Sequence, residues 1–342
     1  MNGHRQRLVP RAYFLSVLGW IGLVLAACST TTAGNGTPGN GTPGKGTPGG
    51  GPESTAGPPV GTTPPATRSL PVRVTATTGI VADLVRSVVA EQPVGAVVVE
   101  QLIPDAEDPT TFTPTAGRVV PELPGADLVV RIGLGYEAAL EPRLTADARE
   151  GVATLVLAER LGPKPLEVNP AVRDPHVWLD PDRLTRASTL VADALARNGR
   201  LDEPALRRAA STFATSMQRA DERVQATLAG VPDDRRTIVT DNAGLAYFTE
   251  RYGFVADVVS VPREADASRV AVADALRRGT RSVVYLSHPS TGPERAALRS
   301  ELTAAIGREV EVRSLVTDRL APPAAGPATL AELLDATATT IS

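Results

Sequence analysis

The chain has 342 residues, 42% hydrophobic and 21% charged, with 30 glycines, 30 prolines and a net charge of -3. That composition supports a real core in one to three domains and excludes a fibrous or wholly disordered chain. Near-neutral charge leaves no basic footprint for nucleic acid, and the single cysteine excludes intrachain disulfides and cysteine-rich zinc sites. With three histidines, His4, His176 and His288, any metal chemistry has to lean on oxygen ligands.

Residues 1–27 have the layout of a signal peptide: Arg5, Arg7 and Arg11 come first, then an apolar stretch too short for a comfortable membrane span. The segment ends in Leu25-Ala26-Ala27-Cys28, which resembles the lipobox of bacterial lipoproteins, where the cysteine is acylated as the first residue of the mature chain. Acyl chains at about 0.8 kcal/mol per buried methylene would hold such a protein at a membrane surface. Residues 28–69 read as a linker of Gly, Thr, Pro and Ser, with Gly-Thr-Pro-Gly repeated after Asn35, Asn40 and Lys45 and almost nothing to bury. Its ends are expected to lie on the order of 35 Å apart.

From residue 70 apolar runs alternate with amphipathic stretches, the pattern of an α/β fold. Strands are expected at residues 72–78, 96–102, 127–132 and 153–157. Between the first two, Ile80, Val81, Leu84, Val85 and Val88 recur at helical spacing. Asp180 and Pro181 open a helix as N-cap and first turn, and Asn198-Gly199 closes it. A longer helix over residues 204–228 carries the stripe Leu206, Ala210, Phe213, Met217, Ala220, Val224 and Leu228. At about 1.5 Å per residue it is roughly 37 Å long, enough to span more than one lobe. Alternation then restarts, with strands expected at residues 237–241, 255–261, 282–287 and 311–316.

This gives a fold of two α/β lobes, each with a mostly parallel sheet. The expected division is an N-terminal lobe at 70–200, a linking helix at 201–230 and a C-terminal lobe at 231–342, with the ligand cleft between the lobes. The strand ends that would line the cleft carry polar or proline-marked segments. They are Asp108-Pro109-Thr110-Thr111-Phe112-Thr113-Pro114-Thr115, Asp174-Pro175-His176-Val177-Trp178-Leu179-Asp180-Pro181, Asp241-Asn242, Ser287-His288-Pro289 and Thr317-Asp318.

With Gly133-Leu134-Gly135-Tyr136-Glu137, Tyr247-Phe248, Tyr252-Gly253 and Leu315-Val316-Thr317-Asp318-Arg319-Leu320, these segments resemble the zinc and manganese receptors among the solute-binding lipoproteins of ABC importers. The resemblance covers residues 70–342. It implies an extracytoplasmic receptor, monomeric and anchored to the cell membrane through Cys28. Such a receptor captures a divalent metal and delivers it to an ABC permease and its ATPase partner, with little lobe movement because a helix joins the lobes. The family sets four ligands in the cleft. His176 and Asp318 match two of them, whereas Thr110 and Asn242 stand where the family has His and His or Glu. Both replacements are neutral, which leaves much of a zinc ion's charge uncompensated and leans the set toward hard-cation chemistry. Glu107, Asp108, Asp241 and His288 are the neighbours placed to compensate.

Two functions follow. The first is a working receptor for zinc or manganese. The second is a degenerate paralogue that binds metal weakly or not at all and acts through a protein partner or another small ligand. An enzyme is not expected, because G-x-S-x-G, H-E-x-x-H and G-x-x-x-x-G-K-[ST] are all missing from the sequence. Trp178 is expected to pack within a lobe, Glu137 to be an exposed-loop or structural residue, and Arg277 and Arg278 to end a solvated helix.

Overall fold

A computed structural model describes residues 70–342, apart from 106, 113–124, 150, 167–168, 242, 259–265, 279–282, 288–291 and 323–324. Cys28, Asn242 and His288 therefore lie outside the described residues. Residues 70–342 fall within one compact unit.

The first half holds β1 (Val72–Ala76), α1 (Gly79–Val88), β2 (Val97–Gln101), β3 (Leu128–Arg131), α2 (Glu141–Arg149), β4 (Thr154–Val156) and α3 (Leu157–Arg160). It continues with β5 (Pro165–Leu166), β6 (Asn169–Arg173), α4 (Pro181–Ala196) and the 26-residue α5 (Glu203–Leu228). The second half holds β7 (Thr237–Thr240), α6 (Ala246–Tyr252), β8 (Val255–Val258), α7 (Asp266–Arg278), β9 (Val283–Leu286), α8 (Gly292–Ile306), β10 (Glu311–Ser314) and α9 (Leu330–Ile341).

Each half builds a four-stranded, all-parallel sheet, in the orders β2-β1-β3-β4 and β10-β9-β7-β8. In the first sheet Val74 faces Val99 on one side and Leu128 on the other; in the second, Val239 lies between Asp257 and Val284. Strand order reverses between β1 and β3, and again between β7 and β9. Reversals of this kind open crevices at the carboxyl ends of parallel strands. The eight expected strands are the eight that form these sheets. The sequence reading passed over the β5–β6 antiparallel hairpin, whose β6 residues are all exposed and so carry no alternation.

Local chemistry fixes the helices. The side chains of Thr78, Asp180 and Asp202 accept from the amides of Val81, Asp182 and Ala205, capping α1, α4 and α5. Gly253 closes α6 at φ +71°, a conformation that glycine adopts without strain. The whole predicted stripe of α5 is buried. Helix α5 packs on α4, α1 and α9. The C-terminal helix reaches both halves: the Leu330 amide donates to Asp83 of α1 (2.9 Å), and the Tyr285 hydroxyl of β9 donates to the Ile341 carbonyl (3.3 Å). One continuous core thus runs from Val74 and Val130 through Phe213 and Met217 to Tyr285 and Leu334. A smaller one lies under α7 and α8 around Val239, Leu276 and Leu302.

Candidate functional site

In each half a carboxylate accepts from backbone amides beyond the strand ends. In the first, Glu137 is fully buried and accepts from the Thr77 hydroxyl (2.7 Å) and the amides of Ile132 (2.8 Å) and Gly133 (2.9 Å). Burial raises its pKa although these three donors pull the other way. The chain wraps this carboxylate through Gly133, Leu134 and Gly135 at φ +85°, +56° and +81°, which explains the two glycines. Glu137 is thus a structural residue, the second of the two readings its sequence allowed. In the second half Asp241 accepts from the Ser287 amide at 2.6 Å.

His176 follows β6 and opens a short 3-10 turn, Val177–Leu179, ahead of α4. Asp174, fully buried, accepts from the His176 amide at 3.0 Å and lies 2.6 Å from Nδ1. A carboxylate only accepts, so Nδ1 carries the hydrogen, and it is Nε2 of the neutral ring that has a lone pair to offer. The Tyr247 hydroxyl pins this segment, donating to the Asp174 carbonyl (2.9 Å) and accepting from the Lys164 amide (3.0 Å). The far edge of the ring lies against Gly244, where a Cβ would stand 2.5 Å from Cδ2 and 2.7 Å from Nε2. Only glycine at 244 lets the imidazole stand where it does.

Two aromatic rings carry His176 to the C-terminal segment. The Tyr136 ring lies 5.8 Å from the His176 ring and 4.8 Å from that of Trp178, and its hydroxyl donates to the Asp318 carbonyl at 3.0 Å. Buried Trp178 donates from Nε1 to the Thr317 carbonyl at 2.7 Å. Trp178 therefore packs as expected and also ties the first half to the second. Burial, reinforced by Asp318, pushes the Tyr136 hydroxyl well above its usual range, so it stays a donor.

His176 and Asp318, far apart in sequence, both neighbour Tyr136, the first through its ring and the second through its backbone carbonyl. The Asp318 carboxylate is held by Arg319, through Nε on Oδ1 (3.0 Å) and Nη2 on Oδ2 (3.2 Å). Those hydrogen bonds, with Asp108 and Tyr136 nearby, raise the pKa of the guanidinium. Thr110 is exposed and turned onto its own turn: its amide and hydroxyl both donate to Asp108 Oδ1, at 2.8 and 2.7 Å. Asp108 is close enough for its charge to act on both Tyr136 and Arg319, and Glu107 is half-buried beside it. Among the described residues no three His, Cys, Asp or Glu side chains gather into a metal-holding group.

Sequence reasoning assigned no role to Gly244 or Arg319. The signal for Gly244 was a glycine two residues beyond the Asn242 position. For Arg319 it was a bulky cation directly beside an expected ligand. Arg319 also lines a cavity of about 580 Å³, together with Asp105, Val316, Leu320 and Pro327.

Among curated proteins, the chain is 26% identical over 156 residues to the manganese-binding lipoprotein MntA of Halalkalibacterium halodurans (46% of this chain, 51% of that protein). It is 28% identical over 184 residues to the zinc-binding protein TroA of Treponema pallidum (53% of this chain, 57% of that protein). The chain thus spans about half the length of the curated relatives it matches. Among solved structures, the periplasmic zinc-binding protein TroA of Treponema pallidum superposes with a TM-score of 0.68 at 22% identity, over 79% of this chain and 98% of that one. A manganese-bound periplasmic metal-binding protein of Candidatus Liberibacter asiaticus does so at 0.65 and 16% identity, over 79% and 97%. These superpositions establish the shared fold of two α/β lobes joined by a long helix. Residues 74–342 match the model of the ZnuA family, zinc-uptake complex component A, periplasmic, and the chain belongs to that family.

Proposed function

We propose that this protein is the extracytoplasmic receptor of an ABC importer for a divalent metal of the zinc and manganese type. It binds and hands over its cargo rather than transforming it. The cargo is held by His176 Nε2 and the Asp318 carboxylate, with Thr110 and Asn242 as neutral oxygen donors. The observation that carries this reading is the 2.6 Å contact between His176 Nδ1 and buried Asp174, which fixes the tautomer and orients the ring as metal-binding imidazoles are oriented. Family membership over residues 74–342 and the metal-binding names of the relatives support it. No observation favours a paralogue that has lost its metal.

Cys28 anchors the chain by lipidation, and residues 28–69 tether a binding unit whose parts are the lobe at 70–200, the linking helix at 201–230 and the lobe at 231–342. Among the described residues no helix is long and apolar enough to cross a membrane. The receptor works as a monomer and delivers to a permease with its ATPase.

Titration calorimetry of the chelator-treated protein with zinc and with manganese tests this. One ion per chain is expected, with His176→Ala weakening binding about 100-fold or more. Unchanged affinity in that variant would overturn the assignment.

A further inference from the structure

We infer that Gly244 is a positioning residue for the cargo: from the second half of the chain, its lack of a side chain sets where the His176 imidazole of the first half stands. The inference rests on the reading of His176 as a ligand and names what aims it.

Gly244 sits in the buried 3-10 turn Ala243–Leu245 that leads into α6. A Cβ there would stand 2.5, 2.6 and 2.7 Å from Cδ2, Cγ and Nε2 of His176, distances at which one partner has to give way. Backbone strain is not the reason for the glycine. Its φ lies outside the left-handed region that Gly133, Gly135 and Gly253 occupy, so an alanine can adopt this turn. On that backbone alanine is the more stabilising residue, because it has fewer unfolded conformations to lose. The three atoms nearest to a side chain at 244 all belong to the His176 ring.

Neither partner is free to retreat. The ring is held at Nδ1 by Asp174 Oδ1, at 2.6 Å, with the Tyr136 and Trp178 rings 5.8 and 5.1 Å away. Asp174 is fully buried, and its Oδ2 has no hydrogen-bond partner among the described residues. A ring that swings away therefore strips a desolvated carboxylate of a bond that nothing else replaces. The turn is anchored too: Leu245 is buried in the main core, and the Tyr247 hydroxyl donates to the Asp174 carbonyl at 2.9 Å. That hydrogen bond spans the same two segments as the Gly244 contact and keeps them at one separation. A methyl group at 244 thus acts on the imidazole and moves Nε2, the nitrogen offered to the cargo.

The test is a double-mutant cycle on the full chain, with wild type, G244A, H176A and G244A/H176A followed by calorimetric titration of zinc and manganese and by thermal unfolding after chelator treatment. G244A is expected to bind either ion about tenfold or more weakly, the scale seen when the groups that orient a ligand are disturbed. It is also expected to unfold about 3–6 °C below the wild type. In the H176A background, where the ring is gone, the same substitution should leave the unfolding temperature unchanged or raise it slightly. G244A failing to fold while G244A/H176A folds would support the contact equally. The same loss of stability in both backgrounds would overturn the inference, since the glycine would then serve its own turn. Wild-type affinity in G244A, with H176A impaired, would overturn it and leave the ligand reading standing. Wild-type affinity in H176A would overturn that reading, and the role of Gly244 with it.

Discussion

Two arginine–aspartate forks of similar geometry stand at opposite ends of the functional argument. Arg251 grips Asp221 through Nε and Nη2, both at 2.7 Å, and also reaches Asp180 (3.2 Å) and Asp182 (2.7 Å). Asp221 in turn accepts from the Tyr252 hydroxyl and the Gln225 amide, each at 2.8 Å. That fork joins the linking helix α5 to α6 of the second half and to the start of α4 in the first. Arg319 and Asp318 are adjacent in the chain, and among the described residues their side chains hydrogen-bond to each other alone. The same ionic hydrogen bonds join separate elements in one place and two chain neighbours in the other. The difference is how many independent elements lose their connection when the fork opens.

Breaking the brace has the largest expected effect. The Asp221 side chain is only 13% exposed, so Asp221→Ala leaves Arg251 without its main partner and is expected to cost about 3 kcal/mol, roughly 6–10 °C in unfolding temperature, with metal affinity nearly unchanged. The Arg251 hydrogen bonds lower the Asp221 pKa below its ordinary 3.8. Its stabilisation is therefore complete above that value and is lost as pH falls through the depressed one. The stability gap between wild type and Asp221→Asn should narrow below about pH 4 in acid unfolding curves. A gap independent of pH would show that the brace acts through packing and not charge.

His176→Ala comes next, with about 2.7 kcal/mol of metal binding lost and little change in the metal-free melting temperature. Tyr136→Phe follows, removing one hydrogen bond to the Asp318 carbonyl. About 1 kcal/mol is expected in thermal unfolding, with a few-fold weaker metal binding as the loop keeps its tie through the Thr317 carbonyl and loses the one at Asp318. Arg319→Gln sharpens the contrast: under about 0.5 kcal/mol is expected to change in stability, read as thermal unfolding. If this variant instead unfolded as readily as Asp221→Ala, the two forks would be doing the same job.

The sheets were legible because buried parallel strands and an amphipathic α5 write their periodicity into the chain: Val72, Val74 and Ala76 on one strand, Leu206 to Leu228 on one stripe. The β5–β6 hairpin was not, since Pro170 and its exposed neighbours follow no period. His176 and Asp318 could be picked out by motif, and both neighbour Tyr136. Asn242 and His288 lie outside the described residues. Gly244 and the Arg319 fork were illegible for a physical reason. A close approach between distant segments, and a side chain folded back on its neighbour, leave no spacing to read.

Trp178 has a practical consequence. The chain has two tryptophans, Trp20 and Trp178, so beyond the leader the indole at the junction of the two halves is the sole fluorophore of its kind. Its ring centre lies 5.1 Å from the imidazole of His176, and its N–H is bonded to the Thr317 carbonyl next to Asp318. If His176 and Asp318 hold the cargo as proposed, both groups that neighbour the indole belong to the cargo site. The emission wavelength and lifetime of the unlabelled protein should therefore follow the filling and emptying of the site in real time.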